Sequence, residues 1–150
     1  METLIRALKK EDVPAVAMLE SACFSTPWPE EQIEYERSGN PCAKVLVAVS
    51  KDGDLQGYLD FMITFDSATI NRICVAESER HQGIATALLN RMVEIAKAQK
   101  EKVEFITLEV RASNETAHRL YQKLGWQDVT RKPHYYDDGE DAIYMVRSIL

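Results

Sequence analysis

The most informative stretch for chemistry is a polar turn that joins an apolar strand to a long helix. The turn spans residues 76–82, and Gly83 opens the helix. The first N–H groups of such a helix have no internal partners and carry the positive end of its dipole, so they favour an anion. Gly83 lets a phosphate approach the backbone closely, and Arg80 adds a positive charge. The alternative is that Gly83 only shapes a turn and Arg80 is solvated.

A second candidate is a carboxylate in an apolar, strand-like run. Glu109 lies between Leu108 and Val110, and position 106 is also apolar. Burial in such surroundings would raise its pKa toward the range of a useful general base. Because the two faces of a strand alternate, the residues alone favour a plainer interpretation, a solvent-facing Glu109.

Tyr121 is a third candidate, on a predicted helix. It shares an apolar stripe with Ala117, Leu120 and Leu124, so its periodicity indicates a core aromatic. A phenol can also donate a proton to a departing group within hydrogen-bond distance. The three histidines are scattered and no Cys/His ligand spacing occurs, so we expect no metal.

A series of helices and strands must position these residues. Strands are predicted at 3–7, 44–50, 55–64, 68–75, 103–110, 126–130 and 142–147. Helices are predicted after a cap at Asp12, at 30–37, at 83–100, and from a cap at Ser113 or Asn114 to Gly125. The short links predict an antiparallel meander of three strands, and the helix at 83–100 permits a parallel crossover. The fold class is therefore α/β of the α+β type, with helices covering a largely antiparallel sheet.

Composition limits the classes of protein that the chain can represent. With 150 residues, 45% apolar and 28% charged, residues 1–150 are predicted to form a single globular domain. The net charge of −6 argues against direct binding of nucleic acid. The N-terminus does not read as a signal peptide, and the longest apolar runs are strand-sized, so no membrane partner is expected. Three widely spaced cysteines indicate reduced thiols in the cytoplasm.

Several motifs together resemble a known family. Arg80-x-x-Gly83-x-Ala85 resembles the acetyl-CoA motif Q/R-x-x-G-x-G/A of the GNAT superfamily of N-acetyltransferases. The block from Leu108 to Trp126 looks like L-E-V-R-x-S-N-x-x-A-x-x-L-Y-x-K-x-G-F. With Phe24-x-x-Pro27-Trp28 and the matches at 131, 135–136, 140–143 and 145, the resemblance is to the RimI family and covers nearly the whole chain. Departures are mild: Ala85 for the commoner glycine, Trp126 for phenylalanine and Ala76-Glu77 for Asp-Pro.

The resemblance implies a GNAT acyl-CoA N-acyltransferase fold, with about seven strands in a mostly antiparallel mixed sheet and about four helices. It implies acetyl-CoA as the cosubstrate, with the pyrophosphate against backbone amides of 80–85 and the pantetheine arm along the strand of Ile73 and Val75. Asn114 would lie beside acetyl-CoA, although it serves equally well as a helix cap. The residues implied to bind acetyl-CoA are Ile73, Cys74, Val75, Arg80, His81, Gln82, Gly83, Ile84, Ala85, Asn114 and Tyr121.

The resemblance also implies the chemistry. Glu109 matches the general base and Tyr121 the general acid in a direct attack of a free amine on the acetyl thioester. RimI enzymes acetylate the N-terminal alanine of a small-subunit ribosomal protein, so the implied partner is the N-terminal tail of such a protein. The enzyme is expected to act as a monomer or weak dimer. Two alternatives remain: acetylation of a lysine or a small-molecule amine, and a non-catalytic sensor that binds acetyl-CoA.

The resemblance places the substrate between segments 24–37 and 131–143. The residues implied to contact it are Trp28, Glu109, Arg131, Tyr135 and Tyr136. Both segments are rich in carboxylates, at positions 30, 31, 34 and 36 and at 137, 138, 140 and 141. We hypothesise that these carboxylates attract a basic protein tail. The alternative is that they form two ordinary solvated acidic faces.

Overall fold

A single mixed sheet of seven strands organises the chain. The computed structural model describes residues 2–150. The strands are β1 (Thr3–Ala7), β2 (Ala43–Ser50), β3 (Leu55–Thr64), β4 (Ser67–Val75), β5 (Phe105–Arg111), β6 (Gln127–Lys132) and β7 (Ala142–Ser148). Their order is β1-β2-β3-β4-β5-β7-β6, and every pairing except β4 with β5 is antiparallel. The predicted mixed, mostly antiparallel sheet and its meander are confirmed.

Four α-helices cover the sheet, as predicted. They are α1 (Val13–Cys23), α2 (Glu30–Glu34), α3 (Ile84–Lys97) and α4 (Glu115–Lys123). One core packs α3 and Tyr121 of α4 against one face of the sheet, and a second core packs α1 and α2 against the other. The apolar spacing of α1, α3 and α4 explains the arrangement, since one stripe of each faces the sheet, whereas α2 contributes Ile33 alone.

Some boundaries differ from the sequence prediction. Helix α2 ends at Glu34 and continues as a wider π-helical turn over Tyr35–Gly39. Asp12 stands at the N-cap of α1, but its carboxylate accepts the N–H of Lys9 (2.8 Å) and pairs with Arg6 (2.6 Å) instead of capping the helix. Trp126 precedes β6 and is buried, with its indole N–H donated to the carbonyl of Ile106 (3.1 Å).

The parallel pair is the feature that creates space for a site. Strands β4 and β5 pair only where Ser67–Thr69 lie beside Phe105–Thr107. Beyond these residues the ladder stops, although both strands continue for several residues. The two strands therefore diverge and leave a split in the middle of the sheet. No helix within residues 2–150 is long and apolar enough to span a bilayer.

Candidate active site

The split in the sheet opens into a cavity of about 590 Å³ between β4, α3 and α4. The cavity brings together ten of the eleven residues predicted to bind acetyl-CoA: Ile73, Cys74, Val75, Arg80, His81, Gly83, Ile84, Ala85, Asn114 and Tyr121. Gln82 is exposed in the same turn and does not line the cavity. The sequence prediction thus locates one continuous cleft, although contact with acetyl-CoA itself stays a prediction.

The turn before α3 has the backbone shape of an anion site. Gly83 is the N-cap of α3 with φ +80°, and a Cβ built on it would meet no atom within 4 Å. The first internal bond of the helix runs from the N–H of Ala87 to the carbonyl of Gly83 (2.9 Å), so the amides of residues 84–86 precede the ladder. Open space and leading amides together fit a phosphate group. Arg80 remains exposed and donates from Nε to the carbonyl of Val75 (3.1 Å).

Asn114 and Cys74 each have an evident structural role. The Asn114 side chain accepts the N–H of Ala117 (3.2 Å), so its prediction as the cap of α4 is confirmed. It also lines the cavity, so the cap is compatible with a place beside acetyl-CoA, which stays a prediction. Cys74 is buried, and burial, with the neighbouring Cys23 thiol, raises the pKa of its thiol.

A second cavity of about 540 Å³ adjoins the first. The two share the residues at their junction, namely Cys23, Phe24, Ile73, Asn114, Ala117 and Tyr121. The second cavity reaches Glu109 and Tyr136, which places the predicted general base and a predicted substrate contact on its wall. Two connected cavities that meet at Tyr121 can hold two reactants in one cleft.

Glu109 fits neither of the two environments expected from sequence. Its neighbours Leu108 and Val110 are buried in the core, while its own side chain is 18% exposed. The carboxylate accepts a hydrogen bond from the ammonium group of Lys132 (3.1 Å) and one from the hydroxyl group of Tyr135 (3.3 Å). It is therefore neither fully solvated nor enclosed by apolar side chains.

Tyr121 is both a core aromatic and a cavity residue. Its side chain is buried, with its ring edge-on to Trp126 at a centroid distance of 6.0 Å. Burial raises the pKa of the phenol, so the hydroxyl group keeps its proton over the range in which enzymes are assayed. A group that stays protonated there can act as a proton donor.

The remaining predicted substrate residues differ in their placement. Tyr136 lines the second cavity, and Tyr135 reaches Glu109. Trp28 lies beneath the guanidinium group of Arg72, 4.8 Å from the ring centroid, and lines neither cavity. Arg131 is paired with Asp141 (2.7 Å) and lies outside both cavities.

Three basic residues of the site were missed by the sequence analysis. Arg72 on β4 and Arg111 on β5 line the second cavity, and Lys132 on β6 contacts Glu109. Arg111 bonds to Asp138 (2.8 Å) and Glu140 (3.0 Å), which fastens the loop after β6 to β5. Arg72 had the same sequence signal as Glu109, a charged residue inside a predicted strand, whereas Arg111 directly follows the strand predicted at 103–110.

The structure also pairs many of the carboxylates expected to attract a basic tail. Glu36 is buried, and Glu34 bonds to Arg37. On the other wall the carboxylates at 138, 140 and 141 are bound to arginines. Within residues 2–150, the exposed acidic residues of the two walls that form no ion pair are Glu30, Glu31 and Asp137. No group of three or more metal-ligating side chains is arranged to hold a metal in the same range.

A split sheet with a helix N-terminus beside the split forms a cleft in which an anion site adjoins a second cavity. The family model described as the acetyltransferase (GNAT) family matches residues 13–126. The chain therefore belongs to the GNAT family of acetyltransferases, and acetyl-CoA is the cosubstrate that this membership implies.

Relatives and a solved structure agree with this assignment. A Bacillus subtilis protein, provisionally named a ribosomal protein bS18-alanine N-acetyltransferase, is 37% identical over 142 residues, covering 94% of this chain and 92% of that protein. The ribosomal protein bS18-alanine N-acetyltransferase of Escherichia coli K12 is 31% identical over 149 residues, covering 97% of each. The crystal structure of the Escherichia coli ribosomal-protein-S18-alanine N-acetyltransferase superposes with a TM-score of 0.86 at 30% identity, covering 99% of this chain and 94% of that one.

Proposed function

We propose that this enzyme transfers the acetyl group of acetyl-CoA to the N-terminal α-amine of ribosomal protein bS18, at an alanine. The observation that carries the proposal is full-length similarity, above 30% identity, to two proteins named for that reaction. The second cavity, called the acceptor cavity from here on, would receive the N-terminus of the peptide, with Tyr136 and residues 24–26 on its walls. We further propose that the enzyme is a single-domain monomer or weak dimer that acts in the cytoplasm on the protein tail and not on RNA.

Glu109 and Tyr121 would divide the proton transfers between them. Acetyl-CoA supplies the activated acetyl group, which the neutral amine attacks directly. Glu109 takes the proton that the amine nitrogen loses as the N–C bond forms. Tyr121 donates its proton to the sulfur as the C–S bond breaks, because its raised pKa keeps the phenol protonated until then. No covalent enzyme intermediate is needed.

The acid–base properties of amines favour an N-terminal acceptor over a lysine. An α-amino group with a pKa of about 7.8 is about 14% neutral at pH 7, whereas a lysine with a pKa of about 10.4 is about 0.04% neutral. The reactive form of an N-terminus is thus a few hundredfold more populated. An acceptor that needs little deprotonation places a small demand on the general base, which is Glu109 in this proposal.

Acceptor preference tests the proposal against its alternatives. The purified enzyme is given acetyl-CoA with a basic peptide that begins with alanine, with the same peptide blocked at its N-terminus and carrying one lysine, or with spermidine. We expect turnover on the free N-terminus at least 100-fold above the other two acceptors, in line with the populations of neutral amine. Activity confined to spermidine, or binding of acetyl-CoA with no turnover on any acceptor, refutes the proposal.

A further inference from the structure

Three neighbouring strands bring a lysine to the proposed general base. β7 lies between β5 and β6, with Glu109 of β5 paired to Tyr144 and Lys132 of β6 paired to Ala142. The Lys132 ammonium group crosses β7 above the Tyr144 ring, 4.6 Å from its centroid, and reaches Oε1 of Glu109 at 3.1 Å. The ring of Tyr144 therefore supports the Lys132 side chain in this position.

Both donors to Glu109 bond to the same carboxylate oxygen. The Tyr135 hydroxyl group donates to Oε1 at 3.3 Å, and the Lys132 ammonium group donates to that oxygen as well. Among the hydrogen bonds of residues 2–150, none is accepted by Oε2 of Glu109. The protein thus holds Oε1, and Oε2 is left for the substrate amine in the cavity that Glu109 lines.

Lys132 differs from the other basic residues near the acceptor cavity. Arg111 and Arg131 bond to carboxylates of the loop between β6 and β7. In the described part of the chain, the one carboxylate within ion-pair distance of Lys132 is Glu109. Since Lys132 is only partly exposed and lies over two tyrosine rings, its position is defined by the site itself.

We propose that Lys132 is a positioning residue for the reaction: it holds Glu109 through Oε1, with help from Tyr135, and directs Oε2 toward the acceptor amine. The proposal rests on the general-base role given to Glu109 above. A carboxylate held at one oxygen keeps the geometry that proton transfer needs, and a misplacement of about 1 Å in such a group costs about 100-fold in rate.

The Lys132 charge has a second consequence for the acceptor. A carboxylate without its cation attracts the protonated, unreactive form of the amine more strongly. Removal of Lys132 should therefore lower kcat without raising the KM of the peptide. A residue that merely shaped the cavity wall would instead raise the KM of the peptide when removed.

The test is a double-mutant cycle in the full-length enzyme. Lys132→Met, Lys132→Arg, Glu109→Gln and the double variant Lys132→Met/Glu109→Gln are assayed with acetyl-CoA and the alanine-starting peptide. Lys51→Met, in the exposed turn between β2 and β3, is the matched control for loss of one lysine charge. Thermal unfolding of each variant is measured alongside to verify that it is folded.

We expect Lys132→Met to lower kcat about tenfold, which is less than the loss of about 100-fold for a carboxylate misplaced by about 1 Å. The KM of the peptide should be unchanged or lower. Lys132→Arg should recover most of the loss, and Lys132→Met should add no further loss in the Glu109→Gln background. This proposal alone is overturned if Lys132→Met lowers kcat by the same factor in the wild type and in the Glu109→Gln variant. It is also overturned if Lys132→Met leaves kcat unchanged while Glu109→Gln still lowers it. Full activity of Glu109→Gln refutes the general base of the proposed function, and this inference with it.

Discussion

Arg72 of β4 and Glu20 of α1 form an ion pair in which Arg72 is partly exposed and Glu20 is buried, with Nη2 lying 3.4 Å from Oε1. Glu20 has no solvent exposure, and its carboxylate also accepts the N–H of Trp28 (2.8 Å) and the hydroxyl group of Tyr58. Arg72 in turn donates to the carbonyl of Thr26 (2.9 Å). These bonds fasten the irregular segment between α1 and α2, one wall of the acceptor cavity, to the sheet.

Loss of this ion pair should destabilise the fold and weaken acceptor binding. Arg72→Met leaves Glu20 buried without a cation, and burial already raises the pKa of that carboxyl. We expect the free energy of unfolding to fall by about 3 kcal/mol, and the KM of the peptide to rise more than that of acetyl-CoA. Urea unfolding and steady-state kinetics measure both. Arg91→Met, which breaks an exposed pair with Glu94, should cost no more than about 1 kcal/mol.

Removal of either proposed proton-transfer group should slow acetyl transfer and leave acetyl-CoA binding intact. We expect Glu109→Gln and Tyr121→Phe each to lower kcat by about 10²-fold or more, the usual contribution of acid–base catalysis. Glu101→Gln, an exposed site that forms no ion pair in the described chain, is the control. If both variants keep full turnover while calorimetry shows normal acetyl-CoA affinity, the catalytic assignment is wrong.

Gly83 offers a clean test of the phosphate site. An alanine there is strained by the positive φ, at a cost of about 1–2 kcal/mol, and its methyl group would enter open space that we propose for the phosphates. We predict that Gly83→Ala weakens acetyl-CoA binding at least tenfold. Gly53, with φ +90° and equally open surroundings in the β2–β3 turn, is the matched control. Gly53→Ala should lose similar stability with unchanged acetyl-CoA affinity, and equal affinity losses in both variants would remove the argument for a phosphate site.

Asp60 should make stability depend on pH. Burial raises the pKa of Asp60 to about 8, the Glu36 carboxylate adds to the shift, and a hydrogen bond from Asn71 opposes it. The unfolded value is about 3.9, so between these values the folded chain holds one more proton than the unfolded chain. The stabilisation is complete below about pH 4 and declines by about 1.4 kcal/mol per pH unit up to about pH 8.

The variant Asp60→Asn isolates this contribution, because asparagine keeps an acceptor for Asn71 and a donor toward Glu36 without titrating. Urea unfolding at several pH values between about 5 and 8 should show wild type losing stability relative to the variant as pH rises. Parallel curves for the two proteins would show that Asp60 does not titrate in this range.

The attraction of a basic tail should be weaker than the sequence suggests, because most wall carboxylates are already paired. We expect kcat/KM for the basic peptide to fall about two- to threefold between about 50 and 300 mM salt, as screening shortens the range of the exposed charges. A variant with Glu30→Gln and Glu31→Gln should flatten the profile. A flat profile in the wild type contradicts electrostatic attraction of the substrate.

Local sequence patterns predicted most of the fold. The run at 55–64 is β3 residue for residue, and the apolar spacing at positions 117, 120, 121 and 124 correctly predicts residues that face the core. The pairing of β4 with β5 over three residues was not predictable, because the point of divergence depends on packing between distant elements. The contact of Lys132 with Glu109 depends on the register of β5, β7 and β6, which no local pattern encodes.

Intact-mass spectrometry of ribosomal proteins tests the proposed site of acetylation most directly. Ribosomes are isolated from cells with and without the gene, and every small-subunit protein is weighed and fragmented. We predict that bS18 carries one acetyl group, on its N-terminal alanine, only when the gene is present, and that a Glu109→Gln copy fails to restore it. Identical acetylation of bS18 in both strains, or a gene-dependent acetyl group on lysine alone, would contradict the proposed function.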